Sequence, residues 1–261
     1  MEPVKIALGI EYLGTDYFGW QSQDGMRCVQ SEIEKALSQV ADHPIKTICA
    51  GRTDTGVHAR GQVVHFETTA KRDERSWLLG LNTLLPADTS VYWVRQVGND
   101  FHARFSAVSR TYQYHIYNRL TRNAVYLNRA TWIYHPLNAE LMQQASQFLL
   151  GKHDFNALRS SQCQSHKAIR TIHSISVQRD DNWIILKVKA NAFLHHMVRN
   201  IVGSLLKVGK GECEPEWMQA ILHKKDRTLA GPTAPPDGLY LHSVEYPEKF
   251  SLPTLPSQVR L

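Results

Sequence analysis

The sequence predicts an α+β fold: two tandem β-α-β-β-α-β units with mostly antiparallel sheets. Two observations carry this. Stretches of period-two apolar alternation and of helical apolar spacing follow one another in that order, and the order occurs twice. The chain has 261 residues, 43% hydrophobic and 21% charged, which suits two small units that each bury a core.

Val4, Ile6, Leu8, Ile10 and Tyr12 alternate with smaller or polar residues and predict a strand. Val29, Ile33, Ala36, Leu37 and Val40 recur at helical spacing. A short strand near Thr47–Ala50 leads into a loop-like run, GRTDTGVHARG. Strands are expected over Gln62–Thr68 and Ser90–Val97, with a helix over Glu74–Leu85 between them that Pro86 stops.

In the second half Arg110–Asn118 predicts a strand with Tyr112, Tyr114 and Ile116 on one face. A helix over Ala139–Leu150 carries Leu141, Ala145, Phe148 and Leu149 as its apolar stripe. Strands over Arg170–Arg179 and Trp183–Ala190 flank a D-D-N turn. A helix over Phe193–Val208, a short helix over Glu216–His223 and a strand over Leu239–Tyr246 complete the repeat. These units have the ferredoxin-like order, and their sheets are expected to leave a central basic cleft. The expected division is 1–103, an N-terminal unit; 104–247, a C-terminal unit with a basic RNA-binding surface; and 248–261, a peripheral tail.

Charge is unevenly spread. Residues 1–103 hold 10 basic and 13 acidic side chains, whereas the whole chain holds 30 and 24. The stretch 104–139 has no acid, contains Arg104, Arg110, Arg119, Arg122 and Arg129, and interleaves Phe105, Tyr112, Tyr114, Tyr117 and Tyr126. Residues 155–179 are also acid-free, with Arg159, Lys167, Arg170 and Arg179. Arginine grips phosphates, and both arginine and tyrosine stack on bases, so RNA is the expected polyanionic partner. Cys28, Cys49, Cys163 and Cys213 are scattered without a C-x-x-C pair, which argues against structural zinc. His195 and His196 are neighbours on a predicted helix and point to different faces, a poor metal pair; one buried and one at the surface is the expectation. No metal site is expected. No apolar run reaches the roughly 18 residues of a membrane helix, and no signal-peptide pattern precedes the first strand, so a cytoplasmic protein is expected.

Four segments concentrate groups that can do chemistry. The densest is Gly51 to Arg60, where Arg52 and Asp54 share a face in extended chain and the guanidinium favours an ionised carboxylate. Such a carboxylate is a nucleophile or a base. The bland reading is a turn in which Asp54 caps its own backbone. Asp54-Thr55-Gly56 is also the triplet of aspartic proteases, but those need two carboxylates sharing a proton, and the chain has one D-T-G. In Arg110-Thr111-Tyr112-Gln113-Tyr114, Tyr112 is either a core residue or a stacking and proton-handling group. In Phe193 to Gly203, Arg199 stands beside an apolar stripe, where it can reach a phosphate, pair with an acid or simply be solvated. The Gly231 to Leu241 loop, rich in proline and glycine, is a connection or a rigid mount that presents Leu239 as a wall for a base.

Together these segments resemble the tRNA pseudouridine synthase I family, which acts on the anticodon stem-loop. The resemblance runs nearly end to end, through Tyr12 to Thr15, Phe18 to Gln21, Arg52 to Ala59, Phe105, Arg110 to Tyr112, His153 to Phe155, Met197 to Arg199, Ala234-Pro235 and Gly238-Leu239. Leu13 departs from the aspartate this family often has there. The resemblance implies that Asp54 is the catalytic aspartate, with Arg52 beside it. It implies that Tyr112 contacts the base and helps remove its C5 proton, and that Leu239 lines the base pocket. It also implies uridines 38, 39 and 40 of tRNA as substrate, a homodimer, and no cofactor. A non-catalytic RNA-binding protein is the competing class, but the G-F-x-F-type stacking motif of such sheets is absent from both units.

Overall fold

A computed structural model describes residues 2–254. The chain forms two compact units. The first runs to Val108 and takes up the chain again from Leu241; the second is Ser109–Tyr240.

In the first unit β1 (Val4–Tyr12), α1 (Val29–Ala41), β2 (Ile48–Cys49), β3 (His58–Thr68), α2 (Glu74–Leu84) and β4 (Thr89–Val97) follow the expected order. The strands lie β4-β1-β3-β2, every pair antiparallel. This is the arrangement that a β-α-β-β-α-β chain reaches when each helix returns across one face of its sheet. β1 is covered on both faces: Ile6, Leu8 and Ile10 are buried, and Ala7 joins a second cluster with Ala50, Val63, Trp93, Phe101 and Ala103. α2 begins where the Asp73 side chain accepts the Ser76 amide at 2.7 Å, and it ends before Pro86.

β3 starts four residues earlier than the sequence suggests. His58, Ala59, Arg60 and Gly61 belong to the strand, and Ala59 pairs with Tyr12. Their mixed polar character hides the strand because the segment is buried by pairing, not by apolar alternation. The loop is accordingly confined to residues 50–57.

The second unit contains β5 (Ser109–Asn118), β6 (Thr131–Ile133), α3 (Ala139–Gln147), β7 (Gly151–Asp154), β8 (Ile169–Asp180), β9 (Trp183–Ala190), α4 (Met197–Gly209) and α5 (Trp217–Lys224). The strands lie β5-β9-β8-β7, antiparallel, with the short β6 parallel to β5. With β6, β7 and α5 set aside, these elements give β-α-β-β-α, the pattern of the first unit without its last strand. The apolar face of α3 is rotated from the expected stripe: Met142, Ala145, Ser146 and Leu149 are buried, whereas Leu141 and Phe148 are half-buried.

β10 (Leu239–Glu245) begins in the second unit and ends in the first. Beyond it, Tyr246, Phe250 and Leu252 pack against the cluster around Trp93 and Phe101. The sequence assigned 241–247 to the second unit and treated 248 onward as peripheral; the apolar side chains at 246, 250 and 252 instead cover the first unit's sheet. Residues 255–261 of that tail lie outside the described residues. No helix among the described residues is long and apolar enough to cross a membrane.

Candidate active site

Asp54 stands on the loop between β2 and β3, half-buried, between the buried Thr53 and the exposed Thr55. The backbone on either side of it is fixed. The Thr53 carbonyl accepts the Trp20 amide at 3.0 Å, and the Asp54 carbonyl accepts the Val57 amide at 3.1 Å. The Thr53 and Tyr12 hydroxyls share a buried hydrogen bond at 2.8 Å. The Gly56 amide donates to the Tyr17 carbonyl at 3.3 Å, and the Gln62 side chain donates to the Gly51 carbonyl at 2.7 Å. Gly56 has φ +76°, the left-handed conformation that glycine adopts without strain.

The bracing segment is the loop from Leu13 to Arg27. It meets the Asp54 loop backbone to backbone. A Cβ on Gly19 would lie 2.8 Å from the Thr53 carbonyl oxygen, and one on Gly14 would lie 2.0 Å from that of Val57. His58 Nδ1 accepts the Gly14 amide at 2.9 Å. This bracing loop is itself pinned by a buried-to-surface network. Asp88 accepts Arg27 Nη1 at 2.8 Å, Arg27 Nη2 at 3.0 Å and the Tyr17 hydroxyl at 2.8 Å. Burial pushes the Tyr17 phenol far up; at Asp88 burial pushes the same way, but the Arg27 and Tyr17 hydrogen bonds outweigh it and hold the carboxyl below its usual range. Asp88 lies 61 residues from Arg27 and 71 from Tyr17, so spacing gives no signal for this network.

Arg52, two residues before Asp54, is exposed. Three positions before Arg52, burial raises the Cys49 thiol to about 12, against the charge of Arg52 and, more weakly, of Arg104. This places both guanidinium groups within electrostatic reach of one buried residue at the root of the Asp54 loop.

The other expected site residues belong to the second unit. Tyr112 on β5 is 9% exposed, its ring edge-on to Phe193 at 4.9 Å. Leu239 is buried at the first position of β10, where its amide donates to the Pro236 carbonyl at 2.9 Å. Arg199 is half-buried on the first turn of α4 and donates from Nε to the Ala234 carbonyl at 2.8 Å, while the Ala234 amide donates to the Arg199 carbonyl at 3.1 Å. It is therefore a clamp on the 231–238 loop, and not a solvated arginine at the helix edge.

α4 starts at Met197, not at Phe193, because His196 takes a left-handed conformation with φ 60°. His195 and His196 thus precede the helix. Both are half-buried, with ring centroids 4.0 Å apart, so the expectation of one buried and one exposed on opposite faces does not hold.

The 231–238 loop is held by residues that the sequence did not single out. Asn200, buried on α4, accepts the Thr233 hydroxyl at 2.7 Å and Arg227 Nη2 at 3.1 Å, and donates to the Leu158 carbonyl at 3.0 Å. Arg227 Nη1 donates to the Gly231 carbonyl at 2.9 Å, and the Gly231 amide donates to the Ser204 hydroxyl at 3.0 Å. Gly203 allows the loop to lie on α4: a Cβ there would fall 1.6 Å from the Pro232 carbonyl oxygen. The glycine inside an otherwise apolar helix was the one available clue.

The chain that carries these two loops is similar to a known class of proteins. The model of the tRNA pseudouridine synthase family matches residues 9–106 and 145–247. Similar proteins include tRNA pseudouridine synthase A of Colwellia psychrerythraea, 52% identical over 96% of this chain and 96% of the relative. The Histophilus somni protein of the same name is 55% identical over 97% and 94%, and that of Klebsiella pneumoniae 55% over 97% and 93%. The chain belongs to the tRNA pseudouridine synthase family and is an isomerase of that kind. A solved Cbf5-Nop10-Gar1 complex shows a TM-score of 0.34 at 10% identity, covering 77% of this chain and 45% of that one, and adds nothing to the assignment.

Proposed function

We propose that the chain isomerises uridine to pseudouridine at positions 38, 39 and 40 of the tRNA anticodon stem-loop, with Asp54 as the catalytic carboxylate. The observation that carries this reading is the half-buried Asp54 on a loop fixed by backbone and side-chain hydrogen bonds on both sides. A carboxylate used in a covalent or proton-transfer step must be held in place against a substrate that moves.

The reaction breaks the bond from C1′ to N1, turns the uracil, forms a bond from C1′ to C5 and releases the C5 proton. Nothing is oxidised or reduced. The Asp54 carboxylate has three chemically sound roles: attack at C1′, attack at C6, or removal of a ribose proton. In this reading Arg52, exposed beside Asp54, fills the space of the flipped base or holds its phosphate. Tyr112 contacts the base and assists loss of the C5 proton, Leu239 forms an apolar wall, and Arg199 keeps the loop before Leu239 in place. The working form in this reading is a homodimer.

The test is tritium release from tRNA carrying label at uridine C5, with modified positions mapped. Release at 38, 39 and 40 supports the reading, whereas tight binding without release would make the chain an RNA-binding module.

A further inference from the structure

Phe105 is an exposed aromatic ring on a rigid mount. It is 76% exposed, and its ring lies stacked on His102 with centroids 4.3 Å apart and planes at 28°. His102 sits against His65 at 4.9 Å, and His65 meets the buried Phe101 edge-on at 5.9 Å. An aromatic column thus runs from the first unit's core to the surface and ends at Phe105.

The mount is held by specific hydrogen bonds. His102 Nδ1 accepts the Arg104 amide at 3.2 Å and the Phe105 amide at 3.1 Å. The His102 amide donates to the Ser106 hydroxyl at 3.0 Å, and the Ser106 amide returns to the His102 carbonyl at 2.9 Å. His65 Nδ1 accepts the Ala103 amide at 3.2 Å. Burial lowers both imidazoles, His65 to about 4, so the column is neutral near pH 7 and accepts these amides throughout. Four hydrogen bonds within five residues hold the exposed ring in one orientation at the surface.

Arg104 stands beside the ring, its guanidinium carbon 5.6 Å from the Phe105 centroid. The mount also lies next to the Asp54 loop's root. Ala103 and Ala50 share one cluster, and Arg104 and Arg52 both act on the Cys49 thiol. A fixed aromatic face with an arginine at its edge is the arrangement that receives an unstacked base and its phosphate.

We propose that Phe105 and Arg104 form a stacking subsite for an unpaired base of the RNA substrate, on the same unit as Asp54. The subsite rests on the RNA-modifying reading above and deepens it. It requires that the RNA be opened beside the target uridine, so that a second base leaves its stack as well.

The test measures binding of a synthetic anticodon stem-loop RNA in an Asp54→Asn background, and turnover with Asp54 intact. Phe105→Ala should weaken binding by about 5- to 150-fold, the range that loss of one aromatic–base stack gives. The loss should fall on KM more than on kcat, and Phe105→Tyr should restore most of it. Arg104→Gln should lower the salt slope of binding by about one. Abasic replacement of each loop nucleotide in turn locates the partner: at one position the Phe105→Ala penalty should vanish, and at the others persist. An unchanged affinity, a penalty equal for every abasic RNA, or a loss confined to kcat would overturn the subsite. So would a change of oligomeric state by light scattering with RNA affinity intact, which would make Phe105 a protein contact. Because binding is read without turnover, failure of the proposed reaction and failure of the subsite are separate outcomes.

Discussion

Arg27 and Asp88 form a two-pronged ion pair, Nη1 to Oδ2 at 2.8 Å and Nη2 to Oδ1 at 3.0 Å, with the Tyr17 hydroxyl on the same carboxylate. Arg27 also lies over the Tyr17 ring at 4.2 Å. Through Tyr17, whose carbonyl receives the Gly56 amide, this pair reaches the backbone beside Asp54.

The first prediction concerns that pair. Asp88→Asn should destabilise the fold by about 1 kcal/mol, a modest amount because both partners are partly exposed and screened. The Asp88 carboxyl is held below its unfolded value, so its contribution is complete above about pH 4, the unfolded carboxyl value, and is lost as pH falls below that. Thermal melts of wild type and variant should therefore differ at pH 7 and converge in acid. A difference that grows on acidification would contradict the assignment.

Asp54→Asn should abolish turnover by at least about a thousandfold while melting temperature and tRNA affinity stay near wild type. Tritium release and filter binding on the same preparation check it. Substantial activity in the variant would remove Asp54 from the chemistry.

The glycine in α4 provides a third prediction. Gly to Ala within a helix normally stabilises it by about 1 kcal/mol. Gly203→Ala should instead destabilise by roughly 1–3 kcal/mol, because its Cβ would meet the Pro232 carbonyl and push the 231–238 loop off the helix. Calorimetry gives the sign, and a fall in kcat/KM would show that the displaced loop matters to the reaction.

Arg122 and Arg129 are both exposed in the acid-free stretch. Changing both to Gln should flatten the dependence of log affinity on log salt by roughly 1.5 to 2, one released counterion or nearly so for each lost phosphate contact. An unchanged slope would place the phosphate-binding surface elsewhere.

The strand and helix order was readable because each long element shows its own period: β1 and β9 alternate, and α4 keeps an apolar stripe. β6 and β7 were not, since three and four residues are too few to show a period, and the Lys152-His153-Asp154 run of β7 is polar on both sides of the strand. The Asp54 loop stood out by its density of Gly, Arg, Thr, Asp and His within ten residues. Its support did not, because Arg27 and Asp88 are separated by 61 residues, and Asn200 and Arg227 by 27. A hydrogen bond between distant positions leaves no periodic trace, and each partner alone reads as an ordinary surface residue.

The return of the chain to the first unit after Tyr240 sets an order on synthesis. While the polypeptide is still emerging from the ribosome, the first half lacks Tyr246, Phe250 and Leu252, the side chains that cover Phe101 and Trp93. The later-encoded half has all its residues by Tyr240. The earlier-encoded half waits with an open apolar face until the segment through Leu252 has been made. A chain truncated after Tyr240 would thus carry a defect far in sequence from the cut: a first unit left unsealed and aggregation-prone.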